Sequence, residues 1–306
     1  MNILVAVNNQ YIRPLLVMLD SLFTHETEAL DIYLFYSLVS ERYLRLLDSY
    51  IDKRGGRFIP VLVEDSVFQE APLKRYFTKE VYYRVLCGRL LPETLERILY
   101  LDTDIIIRGS LESFYYKEFR GKTLIGILDL IGVRYYKEQH YLRLEQIGLS
   151  RDDIYVNSGV LLFNLVKMRE SFVPEEFLRQ TQEKRDVIEM VDQDMINVYF
   201  KGQIGTAEET YNYPILVFSA SFIWNWVMGG WRKEKPRIVH YMGIPKPWEP
   251  NYFGKFYFEY RRYYKKLQSP RERVCFAWQH FWGYSMEILK GIGRVLLRKA
   301  KSRILK

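Results

Sequence analysis

Two carboxylates stand one residue apart in "LYLDTDIII", Asp102 and Asp104. The apolar run Ile98-Leu99-Tyr100-Leu101 leads into them, and Ile105-Ile106-Ile107 follows at once. Acids are almost never buried unless they are paired or bind a metal. Carboxylate oxygens suit a hard dication such as Mn2+ or Mg2+, which commonly shares them with substrate phosphates. Residues i and i+2 of a strand point to the same side. Asp102 and Asp104 can therefore face one ion, with Thr103 turned away. A D-x-D alone is frequent, and most copies are loop or helix N-terminal acids. This copy gains weight from following an apolar strand.

His240, one of four histidines, lies in "RIVHYMGIPKPW". A buried His usually makes a structural hydrogen bond, yet imidazole also ligates Mn2+-type ions. The segment from Gly243 to Pro247 makes a rigid turn carrying Lys246, a point charge suited to a phosphate. "DQDMIN" places Asp192, Gln193 and Asp194 at the start of a helical pattern, where the helix dipole favours acids.

These residues need a frame. "NILVAV" (2–7) is a continuous apolar run, as expected for a central parallel strand. Polar "NNQY" follows, then a helical pattern over 13–24 with Pro14 in its first turn. "DIYLFYS" (31–37) predicts a second strand, 40–53 a helix with Ser40 as N-cap, and "RFIPVLV" (57–63) a third strand. A helix over 79–90 precedes the strand 97–101. "TLIGILDL" (123–130) is a strand ending at Asp129, and Asn157 and Asn164 bracket an apolar run in 154–165. Residues 210–248 are expected to be irregular. Strand–helix alternation predicts an α/β fold with a mostly parallel sheet and helices on both faces. Ligands bind such sheets beyond the strand carboxyl ends, so "NNQY" and "DTD" fall on one rim. No GxGxxG follows the first strand and no GxxxxGK[ST] occurs. The usual backbone cradles for pyrophosphate are absent, and a cation on Asp102 and Asp104 could replace them.

The chain has 306 residues, 48% of them apolar, enough for a real core. Its two cysteines, Cys87 and Cys275, are far apart, which argues against a disulfide scaffold and fits a reducing compartment. "MNILVAV" lacks the pattern of a secretory signal, and no apolar run is long enough for a membrane span. A cytoplasmic protein is expected. The formal charge is +8, but residues 271–306 hold nine bases and two acids. That places most of the excess in a C-terminal appendage and weighs against a nucleic-acid partner.

"YLDTDIII", "NSGVLLFNL", "DQDMIN" and "HYMGIPKPW" together resemble the motif set of family 8 retaining glycosyltransferases, over roughly residues 1–250. That family includes bacterial lipopolysaccharide galactosyl- and glucosyltransferases, and the chain resembles the lipooligosaccharide α-galactosyltransferases among them. The resemblance implies a GT-A fold, a UDP-galactose or UDP-glucose donor, and a bacterial glycan acceptor. It further implies that Asp102, Asp104 and His240 ligate Mn2+ or Mg2+. By the same resemblance Val7, Asn8 and Tyr11 meet the base, and Thr103, Gly243 and Lys246 meet the rest of the nucleotide. Arg84, Asp129, Asn157, Asp192 and Gln193 match donor-sugar and catalytic-pocket positions. One departure is Asn8, where family members often carry Asp. Asn offers uracil a different donor and acceptor set.

Retention requires either a carboxylate nucleophile or attack from the leaving-group face. Gln193 is a poor nucleophile, which favours the second. A nucleotidyltransferase and a non-catalytic glycan binder at a membrane surface are the competing readings. The first lacks a Gly-rich basic loop after strand one. The chain is expected to divide into a catalytic domain, 1–250, and an aromatic, basic extension, 251–306. In that extension a basic amphipathic helix from Ile288, with Trp278, Phe281 and Trp282 just upstream, predicts either a peripheral site on an anionic inner membrane surface or a helix packed on the body with a solvated basic face.

Overall fold

The computed structural model describes residues 1–64, 68–74, 78–135, 137–216, 235–252 and 256–282. Ten strands lie among them: β1 Asn2–Ala6, β2 Asp31–Tyr36, β3 Arg57–Leu62, β4 Arg97–Leu101, β5 Ile105–Ile107, β6 Leu124–Leu128, β7 Val156–Asn164, β8 Ile204–Thr206, β9 Tyr213–Leu216 and β10 Ile238–Met242. Seven form a sheet in the order β3-β2-β1-β4-β7-β6-β8, and the other three form a smaller one, β5-β10-β9. In the large sheet β3, β2, β1 and β4 run parallel. β7 runs antiparallel to both its neighbours.

The period-2 alternation of strands puts successive side chains on opposite faces. Leu4, Ile98 and Tyr100 pack into one core, and Ile3, Val5, Leu99 and Leu101 into another on the other side of the sheet. Burying each such aliphatic side chain stabilises the fold by about 1.5–3 kcal/mol. Helix α1 (Ile12–His25) has Pro14 in its first turn and buries most of its length. Helix α2 is Glu41–Asp52, with Ser40 at its N-cap but no side-chain cap bond.

Three expectations need correction. The helix over 79–90 is interrupted: α3 (Glu80–Tyr83) and α4 (Cys87–Leu90) flank a 3-10 turn at Arg84–Leu86. Such tight turns often mark functional positions, and this one carries Arg84. Residues 210–248 are not wholly irregular, because β9 and β10 fall within them. Their strands are short and cover one small sheet, so they lack a long alternating pattern. The D-x-D does not continue a strand. Asp102 N–H still bonds Gly159 O in the large sheet (2.8 Å), whereas Asp104 O already accepts from Tyr241 N–H in the small one (2.9 Å). The chain crosses from one sheet to the other between the two acids.

The remaining helices are α5 Glu112–Tyr115, α6 Leu130–Tyr135, α7 Lys137–Ile147, α8 Leu165–Ser171, α9 Pro174–Glu183 and α10 Val191–Tyr199. The helix Tyr257–Tyr264 packs Tyr260, Tyr263 and Tyr264 on the small sheet. A last described helix spans 270–282. The amphipathic helix expected from Ile288 lies outside the described residues. Among the described residues, no helix is long and apolar enough to cross a membrane. Cys87 is buried, Cys275 is exposed, and both are free thiols.

Candidate active site

Antiparallel pairing of β10 with β5 sets His240 opposite Ile105, one residue after Asp104. This register brings His240 Nε2 within 3.2 Å of Asp104 Oδ1 and 3.9 Å of Asp102 Oδ2. One ligand atom from each of the three lies within 4.8 Å of the others. Two carboxylates and an imidazole are a donor set for Mn2+ or Mg2+. The backbone leaves room for it. A Cβ on Gly159 would lie 2.4 Å from His240 Cε1 and 2.7 Å from Asp102 Oδ2. Only glycine lets the acid and the ring close over β7 at that point.

Asp104 also pairs with Lys246 Nζ, which in addition donates to Tyr241 O (3.0 Å). Burial alone would raise the Asp104 pKa, but Lys246 and His240 outweigh it and hold the carboxyl well below its ordinary range. Gly243 (φ +76°) supplies the left-handed turn ahead of Lys246.

Arg84 is 3% exposed and enters the cleft from the 3-10 turn. Its Nη1 donates to Ser158 O, and its Nη2 lies 3.2 Å from Asp102 Oδ1. Its guanidinium stacks over the Tyr100 ring (4.0 Å), and Tyr100 Oη donates to Asp102 Oδ1 (2.7 Å). Burial lowers the Arg84 pKa, but Asp192, Tyr100, Asp102 and Asp104 more than reverse this, and it stays charged.

Asp192 is 2% exposed. Its Oδ2 lies 3.3 Å from Arg84 Nε, whose hydrogen is donated to Val81 O, so this oxygen accepts no hydrogen bond. Burial pushes the Asp192 pKa up to about 6, against the opposing pull of Arg84. The β-branched Val191 before it has φ +33°. A left-handed conformation there costs about 1–3 kcal/mol.

The first-strand rim faces the same cleft. Val7, Asn8, Tyr11, Thr103, Asp104, Lys246 and Asp192 all line one cavity. Asn8 Oδ1 accepts from Gln10 N–H (3.0 Å), and its Nδ2 donates weakly to Glu80 Oε2 (3.4 Å). Tyr11 meets Trp248 edge-on, ring centres 6.0 Å apart. Thr103, expected to turn away from the acids, is buried but still borders the cavity.

Deeper in, Gln193 is held on every side. Its Oε1 accepts from Asn157 Nδ2 (2.8 Å) and Ser158 N–H (3.2 Å). Its Nε2 donates to Asp129 Oδ2 (3.0 Å) and Tyr155 Oη (3.1 Å). Asp194 points elsewhere. It is fully buried, accepts from Arg143 and Tyr155 Oη, and takes the N–H groups of Glu189 and Met190. The two acids of "DQD" thus do different work.

Of the residues singled out from sequence, Val7, Asn8, Tyr11, Arg84, Asp102, Thr103, Asp104, Asp192 and Lys246 line this cavity, His240 lies against the two acids, Asp129, Asn157 and Gln193 make the network behind it, and Gly243 is not among the lining residues. Sequence reasoning did not single out Tyr100, Glu80, Tyr155, Ser158, Gly159 or Asn212. The "NSG" triplet could have flagged Ser158 and Gly159. Nothing local flags Asn212, whose place depends on β9 pairing with β10.

The sequence profile of glycosyl transferase family 8 matches residues 2–251. GlyF of Streptococcus pneumoniae serotype 4, a glycosyltransferase, is 23% identical over 81% of this chain and 57% of its own length. The lipopolysaccharide 1,2-glucosyltransferase of Escherichia coli K12 is 24% identical over 81% of this chain and 72% of its own. The chain thus spans little more than half of GlyF. The galactosyltransferase LgtC, solved in complex with donor and acceptor sugar analogs, superposes with a TM-score of 0.76 at 23% identity, over 90% of this chain and 100% of that one. A profile match over most of the length, on a mostly parallel sheet of the GT-A type, settles the family: the chain belongs to glycosyl transferase family 8.

Proposed function

We propose that this chain moves galactose or glucose from a UDP-sugar to a hydroxyl of a bacterial cell-surface glycan, with retention of anomeric configuration. In this reading Asp102, Asp104 and His240 hold Mn2+ or Mg2+. The clustering of these three ligand groups, two of which line the same cavity as Asn8, Tyr11 and Lys246, carries the proposal. A cation bound there supplies Lewis-acid stabilisation to the departing diphosphate. Lys246, which lies against Asp104, would place its charge on the phosphates. Val7 and Asn8 meet the base edge and Tyr11 its face, with Thr103 and Gly243 lining the way to the phosphates. Arg84 and Asp192 border the donor sugar, and Asp129, Asn157 and Gln193 form its far wall.

Gln193 is no nucleophile, since its carbonyl oxygen already receives two hydrogen bonds. Asp194 is sealed behind it by Arg143 and Tyr155. This favours attack from the leaving-group face, with the fixed Gln193 amide presenting its dipole to the charge that develops at the sugar.

We further propose that residues 1–250 form the catalytic unit and that the C-terminal extension docks it on the inner face of the plasma membrane. On the helix 270–282, Val274, Trp278, Phe281 and Trp282 share one face and are each about 60% exposed, while Phe276 on the opposite face packs on the body. An exposed aromatic stripe beside basic residues suits an anionic lipid surface. Flotation with phosphatidylglycerol vesicles tests this. The protein is expected to float with them and not with phosphatidylcholine vesicles alone, and W278S plus W282S is expected to release it.

The enzymatic reading is tested by UDP release from a panel of UDP-sugars with and without Mn2+. Release is expected with UDP-galactose or UDP-glucose, only with the metal, and is expected to vanish in D102A/D104A. Equal release from that variant would sink the reading.

A further inference from the structure

The three candidate metal ligands and the Gln193 pocket are joined by one uninterrupted line of amide side chains. His240 Nδ1 is 2.9 Å from Asn212 Oδ1. Asn212 Nδ2 donates to Asn157 Oδ1 (2.8 Å), and Asn157 Nδ2 donates to Gln193 Oε1 (2.8 Å). Gln193 Nε2 then donates to Asp129 and Tyr155. Asn212, Gln193 and His240 are all buried, at 3%, 7% and 4% exposure.

Backbone groups fix the direction of this line. Ser158 N–H also donates to Gln193 Oε1, and Gly159 N–H also donates to Asn157 Oδ1 (3.0 Å). A backbone N–H can only donate. Each of those oxygens is therefore an acceptor, and Asn157 must present its amide nitrogen to Gln193. Asn212 must in turn present its nitrogen to Asn157 and its oxygen to His240. Nδ1 then carries a hydrogen, and in the neutral ring the lone pair sits on Nε2, which faces Asp102 and Asp104. That is the tautomer a metal-ligating histidine needs, and it is normally set by an outer partner of this kind.

We propose that Asn212 is a positioning residue that ties the tautomer of His240 to the orientation of the Gln193 amide. This rests on the cation reading given above. Asn212 does not itself line the cavity; it contacts His240 on one side and Asn157 of the sugar wall on the other. It acts by forcing both ends of one hydrogen-bond line to point the same way. The site is thus built so that a ring ready to bind the cation and an amide ready to face the sugar occur together.

Two variants of the full-length chain separate the two ends. Asn212→Asp can still accept from His240 Nδ1 but cannot donate to Asn157. Asn212→Ala can do neither. Mn2+ binding, followed by the electron paramagnetic resonance of free Mn2+ in the presence of UDP, reads the His240 end. The kcat for UDP release from the sugar that wild type turns over reads the Gln193 end. N212A is expected to weaken Mn2+ binding by about 10–100-fold and to lower kcat as well. N212D is expected to bind Mn2+ within about threefold of wild type, or tighter, while kcat falls by about tenfold. Wild-type affinity and kcat in N212A overturn the proposal. Equal loss of Mn2+ in N212D and N212A overturns the direction assigned to the line. A wild-type chain that binds no Mn2+ overturns the cation reading itself, and the proposal with it. Thermal melts report whether the variants fold. If neither does, the ring nitrogen resonances of His240 in the wild type decide, and a hydrogen on Nε2 overturns the proposal.

Discussion

The two ends of the cleft are built in opposite ways. At the Gln193 end, each amide of the line from Asn212 to Asp129 has its oxygen and nitrogen committed, and backbone N–H groups lock the direction. At the rim, partners are fewer and exchangeable. Lys246 sits on an acid, one Asp192 oxygen accepts nothing, and Asn8 makes one long side-chain contact at 3.4 Å. Preorganised dipoles serve where charge develops in a transition state, because they need no reorganisation when it arrives. Loosely held groups serve where a charged ligand must replace them. On the proposed function, this contrast would set the far wall of the sugar at the rigid end and the diphosphate at the adaptable one.

The largest expected effect breaks the adaptable end outright. D102A/D104A should lower Mn2+-dependent UDP release by roughly a thousandfold, while melting temperature, read by circular dichroism, stays within a few degrees or rises. Removing both acids takes one carboxylate partner from each of Arg84 and Lys246, which keep Asp192 and Tyr241 O beside them, and relieves two crowded carboxylates. Next, Gly159→Ala tests the seam between the two ends. Its methyl would overlap His240 and Asp102 at 2.4 and 2.7 Å. Overpacking of this kind costs about 1–3 kcal/mol, visible in urea titration, and Mn2+ affinity should fall with it.

Tyr155→Phe tests the rigid end. It removes the hydroxyl that Gln193 and Asp194 share. A loss of about 1–2 kcal/mol in stability is expected, together with a lower kcat at unchanged KM for the donor. A fall in KM affinity with kcat intact would argue that the wall is not preorganised.

The pH dependence sharpens the rim. The folded pKa of Asp192, about 6, lies above the ordinary carboxyl value of 3.8, because burial disfavours the charge. A raised acid adds stability that is complete below about pH 4 and disappears as pH rises through 6. Asp192→Asn has no charge to bury. Its melting temperature relative to wild type should therefore improve from pH 4 to pH 8. An unchanged difference across that range would mean that Asp192 is not the group that titrates. The smallest effect is expected from Asn8→Asp. Its oxygen can still accept from Gln10 N–H, but it would face Glu80. A repulsion between two half-buried charges at the cavity rim is worth about 1 kcal/mol, so the donor KM should change by less than about fivefold, with kcat untouched.

Much of this was legible in the chain itself. Continuous apolar runs at 2–7 and 97–101, each ending in polar residues, fixed the rim on which Asn8 and the two acids lie. The motif "HYMGIPKPW" marked His240 and Lys246 despite their distance in sequence. The helix signals at 13–24 and 40–53 were equally clear, since each buries an apolar stripe at the helical period. What failed was local in a different sense. Arg84 reaches the cleft because a helix tightens into a 3-10 turn, and no propensity distinguishes that from a continuous helix.

The sequence by itself determined which residues could carry charge, ligate a cation and end a strand at the ligand-binding rim. Those properties belong to side-chain chemistry and to the period of the apolar pattern. Only the tertiary structure decided that the two acids straddle a passage between sheets, that β10 pairing places His240 beside them, and that Asn212 links them to Gln193. Each depends on pairing between segments far apart in the chain. Hydrogen-bond register is a property of two strands together, so neither strand's sequence contains it.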